Sequence, residues 1–231
     1  MKLLIINLKS STERRLAVET QLSKLGISNY EFIEAVVGND LDDDIIDKKV
    51  SKRILFNYLN RTKPLSKTEA GCALSHIKAY KRCLDIGERC IIFEDDAIIT
   101  NTFKDIINMN LDEKYDIIYL GYRLNRDDFS GDRILETYHH VKDTFYRPVT
   151  NNIIYDKFYK LEFKHIMVYG THAYSPSLSM CKKMVNSYKE KVIAPSDIFL
   201  NLMCSNIYCP LDRYVYSNRE IESTIGDRNE R

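Results

Sequence analysis

The stretch Cys90-Ile91-Ile92-Phe93-Glu94-Asp95-Asp96-Ala97-Ile98-Ile99 constrains this chain more than any other. An apolar, β-favouring run ends in three consecutive acidic residues and then turns apolar again. A buried strand that terminates in carboxylates sets fixed negative charge at the rim of a sheet, and open α/β sheets bind ligands at that carboxyl edge. Three adjacent carboxylates repel one another unless a cation or a hydrogen-bonding polyol sits among them. Hard oxygen ligands of this kind suit Mg²⁺ or Mn²⁺. The competing reading of an acidic triplet is a solvated turn, and the apolar residues on both sides argue against it.

The N-terminal part predicts a strand, a helix and a second strand. Leu3-Leu4-Ile5-Ile6-Asn7-Leu8 reads as a strand buried on both faces. Ser10-Ser11-Thr12 offers caps for a helix whose apolar positions are Leu16, Val18, Leu22 and Leu25, with Gly26 as its stop. Residues 30–35 follow as the next strand, which makes a βαβ opening. Asn7 falls at the carboxyl end of the first strand. Arg14 and Arg15 fall in the first turns of the helix, where guanidinium groups either reach a phosphate or stay exposed.

Pro64-Leu65-Ser66 opens a second helix, with Ser66 and Glu69 at capping-box spacing. Ala70, Ala73, Leu74, Ile77, Tyr80 and Leu84 follow the helical period, and Gly71 leaves room for close backbone approach. Glu69, Cys72 and His76 share roughly one face across two turns. Their structural readings are a cap for Glu69 and a hydrogen-bonded helix histidine for His76. Further on, residues 101–109 predict a helix, 116–121 a buried strand and 123–133 a polar loop. His139-His140 lacks further ligands at turn spacing and reads as surface. Ile166-Met167-Val168 leads into Tyr169-Gly170-Thr171-His172-Ala173-Tyr174, a second strand ending in polar groups. A helix with Met180, Met184 and Val185 comes next, and then one capped by Ser196 or Asp197. A final strand region spans 207–216. No linker, repeat or low-complexity tract interrupts the chain, so one domain over 1–216 with a polar tail over 217–231 is expected.

Composition closes several doors. A net charge of +1 gives no electrostatic footprint for nucleic acid. No run approaches the roughly 20 apolar residues that cross a bilayer, and the N-terminus reads as a strand and not a signal peptide. The acidic residues 40–47 lack the glycine and distal glutamate of a calcium loop. No GxGxxG follows the first strand, which sets aside a Rossmann dehydrogenase. The six cysteines, none in a CxxC pair, sit mostly in apolar stretches and predict reduced thiols in a cytoplasmic protein.

Four segments, in this order and spacing, resemble glycosyltransferase family 25. They are Ile6-Asn7-Leu8 with Arg14-Arg15, Leu65-Ser66-Lys67-Thr68-Glu69-Ala70-Gly71-Cys72-Ala73-Leu74-Ser75-His76, Phe93-Glu94-Asp95-Asp96, and Gly170-Thr171-His172-Ala173-Tyr174. These enzymes are bacterial lipopolysaccharide or lipooligosaccharide galactosyltransferases, related to the collagen galactosyltransferases. Thr68 stands where the family usually has glycine, and at Ser196-Asp197 only the aspartate matches. The resemblance implies a GT-A-type α/β fold, a mostly parallel central sheet flanked by helices. It also implies a UDP-hexose donor, with galactose foremost, and inversion at the anomeric carbon. The acceptor it implies is a lipid-linked oligosaccharide at the inner face of the membrane. With no hydrophobic anchor visible, contact there would be peripheral, through the basic and aromatic residues 157–164, which read equally as an ordinary solvated strand. Mn²⁺ or Mg²⁺ would neutralise the departing diphosphate. By the same resemblance Asp96 and His172 hold the metal, and Glu94 and Asp95 bind metal, ribose or sugar hydroxyls. Asn7, Leu8, Arg14 and Arg15 face uridine and phosphate, with His76 also on the donor side. Inversion needs a base for the acceptor hydroxyl. Asp197 and Glu69 are the candidates, Asp197 favoured because Glu69 already has a capping role. The rivals are a glucosyl- or N-acetylhexosaminyltransferase of the same fold and a non-catalytic member that binds glycan or a partner.

Overall fold

The computed structural model describes residues 1–44, 65–124, 158–161, 168–189, 194–204, 206–210 and 213–218. Asp47, Pro64, His139-His140 and the expected tail from residue 219 onward lie outside these residues, as does most of 157–164.

Strand β1 (Lys2–Asn7) leads through helix α1 (Thr12–Lys24) to β2 (Tyr30–Glu34). A 3-10 turn at Gly38–Asp40 comes before the long helix α2 (Lys67–Ile86), then β3 (Cys90–Glu94) and the short β4 (Ala97–Ile99). The helix expected over 101–109 is a 3-10 turn, Asn101–Phe103, continued by the one-turn helix α3 (Lys104–Ile107). Strands β5 (Ile117–Leu124), β6 (Phe158–Leu161) and β7 (Val168–Pro176) follow, then α4 (Leu178–Lys189) and α5 (Ser196–Met203). The expected last strand divides into β8 (Ile207–Pro210) and β9 (Val215–Ser217).

Seven strands form one sheet in the order β2-β1-β3-β7-β5-β8-β6, and β4 pairs with β9 in a separate ribbon. The central sheet flanked by helices is the one the sequence predicts. It is mixed: β1 is parallel to β2 and β3, and β5 to β8. Strand β7 runs antiparallel to β3 and β5, and β6 antiparallel to β8. The largely parallel sheet expected from the sequence thus holds around β1 and gives way at β7. Apolar runs report burial and carry no information on strand direction.

Side-chain alternation divides the core in two. Leu4, Ile6, Ile92 and Tyr174 face α2, α4 and α5, where they meet Ile77, Tyr80, Met184 and Phe199. Leu3, Ile5, Phe93 and Ala173 face the other way, toward Val18 and Leu22 of α1 and Phe103 and Ile106 beyond β4. Each fully buried Leu or Ile contributes about 1.5–3 kcal/mol. In α1, Val18 and Leu22 point inward while Leu16 is 65% exposed, because two residues along a helix is more than half a turn away.

Helix α2 starts as its sequence predicts. The Ser66 hydroxyl accepts the Glu69 amide at 3.2 Å, and Glu69 Oε2 accepts the Ser66 amide at 2.9 Å, completing a capping box. Gly71 faces Gly38, and a Cβ at Gly71 would stand 2.8 Å from the Gly38 Cα. The Ser75 hydroxyl also accepts the Val36 amide at 2.8 Å, so the start of α2 is fastened to the chain leaving β2. All six cysteines are free thiols; Cys72 and Cys204 are half-buried and the other four buried. Among the described residues no helix is long and apolar enough to cross a membrane.

Candidate active site

Parallel neighbours β1 and β3 end side by side, at Asn7 and Glu94, so their carboxyl ends share one edge of the sheet. The antiparallel register of β7 then fixes what joins them. Ile92 pairs with Tyr174 and Phe93 with Ala173, and one step further His172 comes beside Glu94. Two-residue alternation puts Glu94 and His172 on the same face as Tyr174, toward α2.

The three acidic residues take three different environments. Asp95 is an anchor: Oδ2 accepts Asn7 Nδ2 at 2.8 Å, and Oδ1 accepts Arg14 Nη1 at 3.1 Å. Asn7 also donates to the Ser11 carbonyl, which ties β1, α1 and the acidic turn together. Glu94 Oε1 accepts the Thr171 hydroxyl and lies 3.3 Å from His76 Nε2. Glu94 Oε2 lies 3.8 Å from His172 Nδ1, too long for a hydrogen bond. Burial pushes the Glu94 carboxyl upward, but the His172 and His76 imidazoles beside it outweigh burial and hold it well below the usual range. Asp96 goes the other way. Burial first, and then repulsion from Glu94, raises it from 3.8 to about 6.

Asp96 Oδ1 and both ring nitrogens of His172 are buried and have no hydrogen-bond partner among the described residues. Buried polar atoms left in this state cost about 1–3 kcal/mol each, unless something else satisfies them. One ligand atom from each of Glu94, Asp96 and His172 lies within 4.8 Å of the others. Two carboxylates and an imidazole converging with unsatisfied lone pairs fit a hard or borderline divalent cation such as Mn²⁺ or Mg²⁺. Gly170 makes the space for the imidazole. It holds a left-handed φ of 85°, and a Cβ there would meet His172 Nε2 at 2.7 Å.

The remaining sequence candidates divide. Arg14 joins the cluster through Asp95, whereas Arg15 does not. The Arg15 guanidinium stacks over Phe32 at 4.1 Å and bonds Glu19 Oε1 at 3.2 Å, because adjacent helix residues point about 100° apart. Leu8 is half-buried at the same edge, and its carbonyl accepts the Ser11 amide at 2.8 Å. His76 is 1% exposed, with Nδ1 at 2.7 Å from Tyr174 Oη and Nε2 facing Glu94. It also lies near Cys72 and Glu94 in a second potential ligand group, but both of its nitrogens are already engaged within the protein. Glu69, 7% exposed, serves the α2 cap.

Asp197 is not the cap predicted for α5. The helix begins after Pro195 with no side-chain capping bond. Asp197 instead accepts the Gly170 amide at 3.3 Å on Oδ2 and the Ile198 amide at 2.9 Å on Oδ1, which places it against the strand that carries His172. The sequence reading missed two participants. Thr171 binds Glu94 directly, and Asn218 donates its amide to the Asp96 carbonyl at 2.8 Å. Strand parity turns Thr171 away from His172, toward the face of Ala173, so it hid this contact, and Asn218 carried no signal.

The profile of glycosyltransferase family 25 (LPS biosynthesis protein) matches residues 1–200, and the chain belongs to that family. Protein R655 of Acanthamoeba polyphaga mimivirus, named a glycosyltransferase, is 30% identical over 58% of this chain and 41% of its own length. Procollagen galactosyltransferase 1-A of Xenopus laevis is 27% identical over 86% of this chain and 30% of its own. The chain thus spans less than half the length of these curated relatives. Other matched members carry names that mark them as inactive. Among solved structures, galactosyltransferase LgtC in complex with donor and acceptor sugar analogues aligns over 90% of this chain and 72% of its own, at 10% identity and a TM-score of 0.40.

Proposed function

We propose that this protein is an inverting, metal-assisted glycosyltransferase of GT-A type that moves a hexose, galactose in the first instance, from a UDP-sugar to a saccharide acceptor. The observation that carries this reading is the convergence of Glu94, Asp96 and His172, with Asp96 Oδ1 and both His172 nitrogens unsatisfied among the described residues. Glu94, Asp96 and His172 would hold a divalent cation there, which would supply charge neutralisation for the leaving diphosphate. Asp95, with Asn7 and Arg14, keeps the acidic turn rigid at the donor edge. Asp197 is the base in this reading. Its place beside Gly170 supports that role over Glu69, whose carboxylate completes a helix cap. In this reading Arg15 is engaged by Phe32 and Glu19 and takes no part at the donor. The acceptor in this reading is a lipid-linked oligosaccharide at the inner face of the membrane, in keeping with a family described as LPS biosynthesis proteins.

The test is UDP release from UDP-galactose with and without Mn²⁺. Several kcal/mol of charge stabilisation make the expected loss in Asp96→Ala at least about a hundredfold. Near-normal turnover by that variant would remove Asp96 from the chemistry. UDP binding with no sugar transferred to any saccharide would instead favour a donor-binding member without turnover, the state that the names of inactive relatives describe.

A further inference from the structure

Behind Glu94 a line of polar groups runs into the apolar core. Tyr174 Oη donates to Tyr80 Oη at 2.8 Å and lies 2.7 Å from His76 Nδ1, and His76 Nε2 faces Glu94 Oε1 at 3.3 Å. With Tyr174 Oη donating to Tyr80, its oxygen accepts from His76 Nδ1–H, and the contact with the acceptor-only Glu94 carboxylate needs the second ring proton, so His76 donates from Nε2 as well, as an imidazolium. The three rings pack on one another with centroids 5.7–6.4 Å apart. All three side chains are sealed from solvent, with Tyr80 and Tyr174 at 0% exposure and His76 at 1%. A histidine so enclosed does not reach a donor sugar. Polar groups buried at this depth are costly unless fully satisfied, and a satisfied network holds one geometry.

We propose that Tyr80, Tyr174 and His76 are positioning residues which tie down Glu94 Oε1 from the interior and thereby present Oε2 to a cation shared with Asp96 and His172. The inference rests on the metal-site reading above and assigns His76 a task other than donor contact. Thr171 holds the same Oε1 from the strand side, so one oxygen of Glu94 is gripped twice and the other is left toward His172. Partners behind a metal ligand fix its orientation, and their loss typically weakens metal binding about 10–100-fold.

The same core supplies an internal control. Tyr119 is also 0% exposed and packs on Tyr174 at 6.2 Å, but its hydroxyl has no partner among the described residues. The experiment measures Mn²⁺ affinity of the full chain by electron paramagnetic resonance, without donor, for wild type, Tyr174→Phe, His76→Phe and Tyr119→Phe. Thermal unfolding in EDTA reports folding of each. The expected result is Mn²⁺ binding weakened about tenfold or more in Tyr174→Phe and His76→Phe and unchanged in Tyr119→Phe. If His76→Phe does not fold, Tyr174→Phe, which loses one oxygen and little volume, decides. A variant that melts earlier yet binds Mn²⁺ like wild type would reduce the relay to core packing and overturn the proposal. Equal weakening in Tyr119→Phe and Tyr174→Phe would overturn it as well. Wild-type protein with no measurable Mn²⁺ affinity would sink both the relay and the metal-site reading beneath it, whereas binding by wild type and equal binding by the variants would sink the relay alone.

Discussion

At the scale of single residues, the acidic triplet shows how one strand end serves three purposes. Asp95 is saturated by Asn7 and Arg14, Glu94 is gripped on one oxygen, and Asp96 keeps an oxygen without a partner among the described residues. Two pH effects follow from Asp96, whose folded value of about 6 lies above its ordinary 3.8. Without metal, the folded protein retains a proton that the unfolded chain has released between these values, so Asp96 makes stability fall as pH rises through that window. Cation binding needs the ionised form, so Mn²⁺ affinity is expected to drop about tenfold per pH unit below that upper value. Titrations at successive pH values check this, and a flat affinity down to mildly acid pH would contradict it. Asp197→Asn is expected to lower kcat while UDP affinity stays the same, as rate and equilibrium measurements on one preparation would show. Collapse of UDP affinity in that variant would make Asp197 a binding residue. Asp96 was marked by the apolar run before it, whereas His172, read as the end of a strand, lies inside β7. The separation of Arg14 from Arg15 was not legible, since two adjacent arginines read alike until Asp95 and Phe32 take their places.

At the scale of elements, helix α2 is the part most fully written in the sequence. Its capping box, its apolar face and the close backbone approach at Gly71 all occur where the residues predict. Ser66→Ala removes the acceptor for the Glu69 amide and is expected to cost about 1 kcal/mol of stability, measured by denaturant unfolding. A loss well above about 2 kcal/mol would mean that Ser66 holds more than the helix start. A strand near β7 was legible but its extent and direction were not: the sequence reading ends it at the polar residues, whereas β7 runs through them from Val168 to Pro176. That direction decides the site, because only an antiparallel β7 brings His172 to Glu94 while Tyr174 reaches His76. A run of apolar residues fits either polarity, and the choice falls to pairings formed with residues far away in the chain. The cap expected from Ser196 or Asp197 failed for a related reason. The carboxylate bridges to Gly170 across the fold, and no local pattern announces such a contact.

At the scale of the molecule, the sheet carries apolar cores on both faces, and the candidate site lies where its strands end. A cation bound only by the folded form stabilises it by about 2.7 kcal/mol at a hundredfold excess over Kd. For a chain of this size that raises Tm by roughly 5–11 °C, a shift that Mn²⁺ should produce in wild type and not in Asp96→Ala. Equal shifts in both would place the bound ion elsewhere. The small ribbon β4–β9 adds a condition in time. Ile99 pairs with Val215, Tyr214 donates its amide to the Leu120 carbonyl, and Asn218 clasps the carbonyl of Asp96. A nascent chain paused on the ribosome before Val215 has already made every carboxylate of the turn and still lacks the strand that braces it. The turn therefore gains its brace only once Val215–Asn218 have been made.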